Sequence, residues 1–174
     1  MLLAPCCWSA LSWCKIKSKE KVQVTEPIMY RTVLVPLDGS ALAEQALHQI
    51  PHIACDRPLV YLVRVIQPPA PEIRPEGVPT PPFTDALALQ RQEALAYLKG
   101  VAAVLQSQGM DVRPQVVVDP RPADAILAFA AEKGVDLIIM STHGLGGMSR
   151  WIFGSVTTDV VRHAPCPVLV VRPT

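Results

Sequence analysis

Aromatic residues are scarce, 5% of the 174 positions, and charge is sparse, with 18% charged residues and a formal net charge of +1. Stacking platforms for single-stranded nucleic acid need aromatic faces, and duplex binders rely on a broad basic surface. This composition builds neither, so no nucleic-acid partner is expected. The chain is also too apolar, at 50% hydrophobic residues, for a disordered one. It has no G-x-x-x-x-G-K-[ST] segment, which excludes a P-loop. It has no Cys-x-x-Cys pair or metal-ligand spacing, which argues against a zinc or redox motif. The longest apolar opening run, residues 1–14, is shorter than the ~20 residues that a membrane span requires. A membrane partner is therefore not expected.

What the chain does have is unevenly placed. Residues 1–14 hold three of the five cysteines and two of the three tryptophans. A charged stretch, KIKSKEK, follows at 15–21. A secretory signal places basic residues before its apolar run, not after it. Residues 1–28 are expected to be a disordered or non-native leader, with a palmitoylated or signal-anchor tail through Cys6, Cys7 and Cys14 as the other reading. The domain is expected to span 29–174, beginning at MYRTVLVPLDGS. The leader carries four lysines and two glutamates, whereas the other 146 residues carry 12 Lys/Arg and 13 Asp/Glu. The positive total thus belongs to the leader, and the domain itself is slightly acidic. Only Cys55 and Cys166 remain in it, and a reducing cytoplasm is the expected location. Cys166, between two prolines, reads as an inert buried thiol.

Strand and helix patterns alternate through the domain. Residues 32–37, 58–66, 112–118, 135–140 and 167–171 are short apolar, β-branched runs of the buried-strand type. Between them, 41–50, 85–108, 121–133 and 155–163 read as helices. Pro51 is expected to end or kink the first helix. Gly109 and Gly134 are expected to stop the second and third. Pro114 favours an edge position for its strand. Residues 67–84 contain seven prolines and are expected to form a long extended loop. Strands that are apolar throughout, alternating with helices, predict an α/β fold: an open parallel sheet covered on both faces. Ligands of such sheets sit beyond the carboxyl ends of the strands, near a topological switch point.

One segment there stands out, STHGLGGMSRWIFGSVT at 141–157. Gly144, Gly146, Gly147 and Gly154 fall within eleven positions. Glycines let backbone N–H groups turn toward an anion. Ser155 is expected at a helix start, where free N–H groups and the helix dipole favour phosphate. No acidic residue lies between 137 and 158, and Arg150 adds a positive charge. A glycine-rich turn that only joins strand to helix is the structural alternative. The dinucleotide fingerprint fails, because G-x-G-x-x-G from Gly144 would need glycine where Ser149 stands.

The same segment resembles the universal stress protein signature, G-x2-G-x9-G-[ST], read here as Ser141-Thr-His-Gly144, nine residues, and Gly154-Ser155. VLVPLDGS at 33–40 and HAPCPVLVVRP at 163–173 are similar to that family too. The resemblance implies a five-stranded parallel sheet of order 3-2-1-4-5, with helices on both faces, and a homodimer formed partly through the last strand. It further implies an ATP-binding protein acting as a dimeric stress-response sensor or regulator. Residue by residue, it places Asp38 at the ribose or adenosine end with Pro36 beside it, and Val65 against adenine. Ser141, Gly144, Gly154, Ser155 and Val156 would meet the phosphates, with Mg2+ or Mn2+ able to accompany them. Ser141 departs from the signature, which has glycine there. A serine serves if its backbone keeps a negative φ.

Plainer roles stand beside these assignments. Asp38 before Gly-Ser is also a common turn residue. Val65 is a core residue in any case. His143, without a neighbouring carboxylate or nucleophile, reads as a loop residue, and no catalytic residue is assigned. Asp119 and Asp124 suit helix capping better than metal binding. Two alternatives to the sensor are a slow ATP hydrolase, which lacks an evident base or lysine, and a non-nucleotide interaction module using the Pro-rich loop.

Overall fold

The computed structural model describes residues 29–68, 83–142 and 154–172. Residues 1–28, most of the Pro-rich segment and the centre of the glycine-rich segment lie outside these residues. The described elements run β1 (Tyr30–Pro36), α1 (Ala41–Glu44), α2 (Ile50–Ile53), β2 (Ala54–Ile66), α3 (Phe83–Ser107), β3 (Asp111–Val118), α4 (Pro122–Lys133), β4 (Leu137–Ser141), α5 (Ser155–His163) and β5 (Val168–Val171). All strand pairs are parallel, in the order β3-β2-β1-β4-β5. This is the predicted sheet, and Pro114 lies in β3 at its edge, where a residue without an N–H is tolerated.

Alternation along the central strands explains why their sequences are apolar throughout. Val33, Val35, Val60, Leu62, Leu137 and Ile139 join one core with Ala43, Ala46, Ile50, Leu98, Ala102 and Leu105. Leu34, Tyr61, Val63, Ile138 and Met140 join the other with Ile126, Phe129, Ala130 and Val160. Helices α1–α3 therefore cover one face, and α4 and α5 the other. Each side of a central strand is buried, so neither can be polar. Tyr61 and Phe129 meet edge to face across the second core, with ring centroids 5.3 Å apart.

Two boundaries differ from the sequence expectation. Pro51 does not end the first helical region. The chain tightens to a 3-10 turn over Gln45–Gln49, and Pro51 then sits in the first turn of α2, where its missing N–H costs no bond. Second, β2 begins at Ala54, four residues before Pro58, with Tyr30 paired to Ala54 before the register shifts. Gly134 ends α4 as expected. Its φ of +59° is left-handed, and Val135 N donates to Ala130 O at 3.0 Å.

A carboxylate not singled out from the sequence locks the start of the sheet. Asp136 Oδ2 accepts from the N–H groups of Arg31 (2.9 Å) and Thr32 (3.0 Å), while Asp136 N donates to Thr32 O at 2.9 Å. Those bonds join the chain ahead of β4 to the beginning of β1.

Candidate functional site

From β1 the chain steps outward through β2 to β3, then returns to β4 on the other side of β1. The direction of winding thus reverses between β1 and β4, which are paired at Val33–Leu137 and Leu34–Ile138. A crevice beyond the carboxyl ends of these two strands is the favoured ligand position in such a sheet. The turn after β1 flanks that position on one side, and Ser141, Thr142 and the start of α5 flank it on the other.

On the first side, Pro36 closes β1 and Leu37 N donates to Val63 O at 2.8 Å. The chain then turns at Asp38-Gly39-Ser40. Asp38 Oδ1 accepts from Ser40 N at 2.9 Å and from Ser40 Oγ at 2.6 Å. Ser40 caps α1 by accepting from Ala43 N at 3.1 Å. Gly39 has a φ of +89°, a conformation that suits glycine. The turn role weighed for Asp38 is therefore real, and it fixes where the carboxylate stands.

On the second side, Ser141 ends β4 and is buried together with Thr142. The only described non-glycine residue with positive φ is Arg57, so Ser141 meets the condition for replacing the signature glycine. Thr142 N donates to Val171 O at 3.0 Å, and Gly154 N donates to Thr142 O at 2.9 Å. Thr157 Oγ1, buried under the helix, donates to Ser141 O at 3.1 Å. These bonds bring the start of α5 against the end of β4.

Gly154, not Ser155, occupies the cap position of α5, and it offers no side-chain cap. The Gly154 N–H is already engaged by Thr142. The first bond within the helix is Thr158 N to Gly154 O, 2.9 Å. The N–H groups of Ser155, Val156 and Thr157 precede it and have no partner inside the helix. Ser155 is exposed, whereas the Val156 side chain packs against the α4–α5 core. Val156 can therefore offer an anion its backbone only. Gly144 lies outside the described residues, as do His143 and Arg150.

Val65 sits near the end of β2, pairs with Val117 and is half-buried against the same core. Beside it, Gln67 Nε2 donates to Pro120 O at 2.9 Å and Asp119 N to Ile66 O at 3.1 Å. Asp119 Oδ1 accepts from Arg121 N at 2.7 Å, and Asp124 pairs with Arg121 at 2.8 Å. Both acids thus organise the entry to α4. Among the described residues no group of three or more His, Cys, Asp or Glu side chains is placed to hold a metal ion. His163 Nδ1 lies 2.9 Å from Asp159 O. Cys166 is half-buried rather than fully buried, and desolvation pushes its thiol pKa up.

Sequence reasoning missed a cluster behind the Asp38 turn. The Arg64 guanidinium lies over the Tyr97 ring, 5.4 Å from its centroid, and Tyr97 Oη donates to Glu44 Oε1 at 2.8 Å. Burial, then the bond to Glu44, raises the Tyr97 hydroxyl pKa well above its ordinary value. The three residues come from β2, α3 and α1, and no local sequence pattern joins them. Glu44 also lines a concavity of about 490 Å³, together with Leu47, Pro51, Val101, Val104 and Leu105 among others.

An open parallel sheet, covered by helices on both faces and with its switch point between β1 and β4, defines a protein of the doubly wound α/β class. The sequence model of the universal stress protein family matches residues 29–172, and the chain belongs to that family. It is 34% identical over 144 residues to a universal stress protein of Thermus aquaticus, covering 83% of this chain and all of that one. The structure of the hypothetical protein MJ0577 superposes with a TM-score of 0.71 at 27% identity, over 84% of this chain and 99% of that one. A universal stress protein in complex with cAMP shares the fold, with a TM-score of 0.58 at 24% identity, over 83% and 98% of the two chains.

Proposed function

We propose that the chain binds ATP in the β1–β4 crevice and acts as a dimeric, cytoplasmic stress-response sensor or regulator. The observation that carries this reading is the pairing of two complementary sides at one switch point. The first holds a carboxylate turn at Asp38. The second presents the N–H groups of Ser155, Val156 and Thr157 at the start of a nine-residue helix. Helix N-termini with free N–H groups favour phosphate, and a carboxylate accepts well from ribose hydroxyls. The donor and acceptor types therefore fit a nucleoside phosphate, with Pro36 and Val65 supplying apolar surface. Ser141 and Gly154 would shape the phosphate end, and Gly144 would join them. That a relative is known in complex with cAMP supports an adenine nucleotide as the ligand class. Mg2+ or Mn2+ would accompany the phosphates.

The dimer reading rests on the edges of the sheet. On β3, Pro114, Asp111 and Arg113 discourage further pairing, whereas β5 is the aliphatic run VLVV. Among the described residues no helix is long and apolar enough to cross a membrane.

The test is to release small molecules from the freshly purified, folded protein and identify them by mass, then to titrate ATP while following thermal unfolding. A ligand present at ~100 times its Kd stabilises by about 2.7 kcal/mol. Absence of adenine nucleotide from the extract, together with an unchanged Tm in millimolar ATP, overturns the proposal.

A further inference from the structure

Arg64 is a charged, half-buried residue at the end of a strand whose neighbouring positions are apolar. A Cβ built on Gly39 would stand 3.2 Å from Arg64 Nη1 and 3.4 Å from both Cζ and Nη2. Three guanidinium atoms at nearly one distance mean that the flat group lies over the Gly39 backbone. Its other neighbour is the Tyr97 ring, which Glu44 holds through the hydroxyl. A side chain on Gly39 would crowd this arrangement, and the bare backbone admits it.

Strand alternation decides what Arg64 can reach. It shares its face with Val60 and Leu62, which point toward α1–α3. The Val156 and Val160 side chains of α5 pack on the opposite face. Arg64 therefore lies behind the Asp38 turn, across the sheet from the helix end that offers N–H groups to phosphate.

We propose that Arg64 is a positioning residue for nucleotide binding: it covers Gly39 and holds the Asp38-Gly39-Ser40 turn in the shape that aims the Asp38 carboxylate into the crevice. This role rests on the reading of Asp38 as a nucleotide contact, but the support of the turn is measurable without ligand. The cation over the aromatic ring and the packed guanidinium are together the kind of contact whose loss changes a local opening equilibrium by about tenfold.

The experiment compares the parent with Arg64→Ala and Arg64→Lys, using amide hydrogen exchange without nucleotide and affinities for adenosine and ATP. In Arg64→Ala, exchange of the Ser40 amide, which donates to Asp38 Oδ1, is expected to rise about tenfold. The Leu37 amide, bonded to Val63 O, keeps its rate and reports an intact sheet. Arg64→Lys retains the cation over Tyr97 and is expected to restore Ser40 protection to within about threefold of the parent. Adenosine and ATP affinities are expected to fall by the same factor in Arg64→Ala, because the turn serves the nucleoside end. Unchanged Ser40 exchange in Arg64→Ala, or a Leu37 amide that accelerates equally, overturns the proposal. So does a loss confined to ATP, which would make Arg64 a phosphate contact. If the parent binds neither ligand, the binding reading fails, and the Ser40 exchange alone then decides whether Arg64 holds the turn.

Discussion

Replacing Thr157 with valine keeps the shape of a buried side chain and removes one hydroxyl. Thr157 is 4% exposed, and its Oγ1 donates to Ser141 O at 3.1 Å. Ser141 is buried as well, so its carbonyl loses this donor away from bulk solvent. A net hydrogen bond contributes about 0.5–1.5 kcal/mol, and burial of the acceptor adds to the cost of losing it. The expected destabilisation is therefore about 1–2 kcal/mol. For a domain of this size that lowers Tm by roughly 3–6 °C. The same bond ties α5 to the end of β4, beside the Gly154 N–H to Thr142 O contact. Loosening it should blur the position of the Ser155 and Val156 N–H groups. ATP affinity is then expected to fall by more than adenosine affinity, since adenosine has no phosphate to lose contacts. Differential scanning calorimetry and paired titrations measure both effects. A valine variant that melts within about 1 °C of the parent and keeps the parent ratio of ATP to adenosine affinity would refute the reasoning.

Two glycines should respond in opposite directions. Gly100 lies exposed inside α3 with nothing within 4 Å of an added Cβ, so Gly100→Ala should stabilise by about 0.5–1 kcal/mol. Gly134, at φ +59°, should lose about 1 kcal/mol as alanine; urea unfolding that gives both changes the same sign would contradict this account. Asp136→Ala removes the acceptor for the Arg31 and Thr32 N–H groups. With Arg31 open to water, the cost should be about 2 kcal/mol, and a change under about 0.5 kcal/mol in chemical denaturation would show the bonds to be dispensable. Val170→Lys places a charge in the aliphatic edge strand. Sedimentation should show at least about tenfold weaker self-association, and an unchanged equilibrium would exclude β5 as the dimer edge.

Much of the fold could be read along the chain because its physics is local. The predicted helix over 155–163 coincides with α5, and β1, β3 and β5 fall within two residues of expectation at either end. Strand order came with the family resemblance, since the apolar runs alone say that the strands are buried and not which are neighbours. Where local rules misled, the reason is specific. Proline interrupts a continuing helix, yet at Pro51 a 3-10 turn lets a new first turn begin, and that position needs no N–H. Serine is a better cap than glycine, yet Gly154 holds the cap position of α5 and Ser155 is its first residue, with Gly154 N bonded to Thr142 O.

The candidate site divides along the same line. Sequence by itself determined the apolar strands, the glycine-rich segment after β4, the Asp-Gly-Ser turn after β1 and the family signature that joins them, because each is a run of consecutive residues with a local chemical meaning. Only the tertiary structure decided that Gly154 spends its N–H on Thr142, that Asp136 anchors the start of β1, and that Arg64, Tyr97 and Glu44 stand together behind Asp38. Those contacts join residues 12 to 105 positions apart, whose meeting depends on how three helices pack on one sheet. Apart from Thr142 and Gly154, which share the glycine-rich segment, no short window of sequence holds both partners, and the energy that selects them is gained only once the cores on either face have closed.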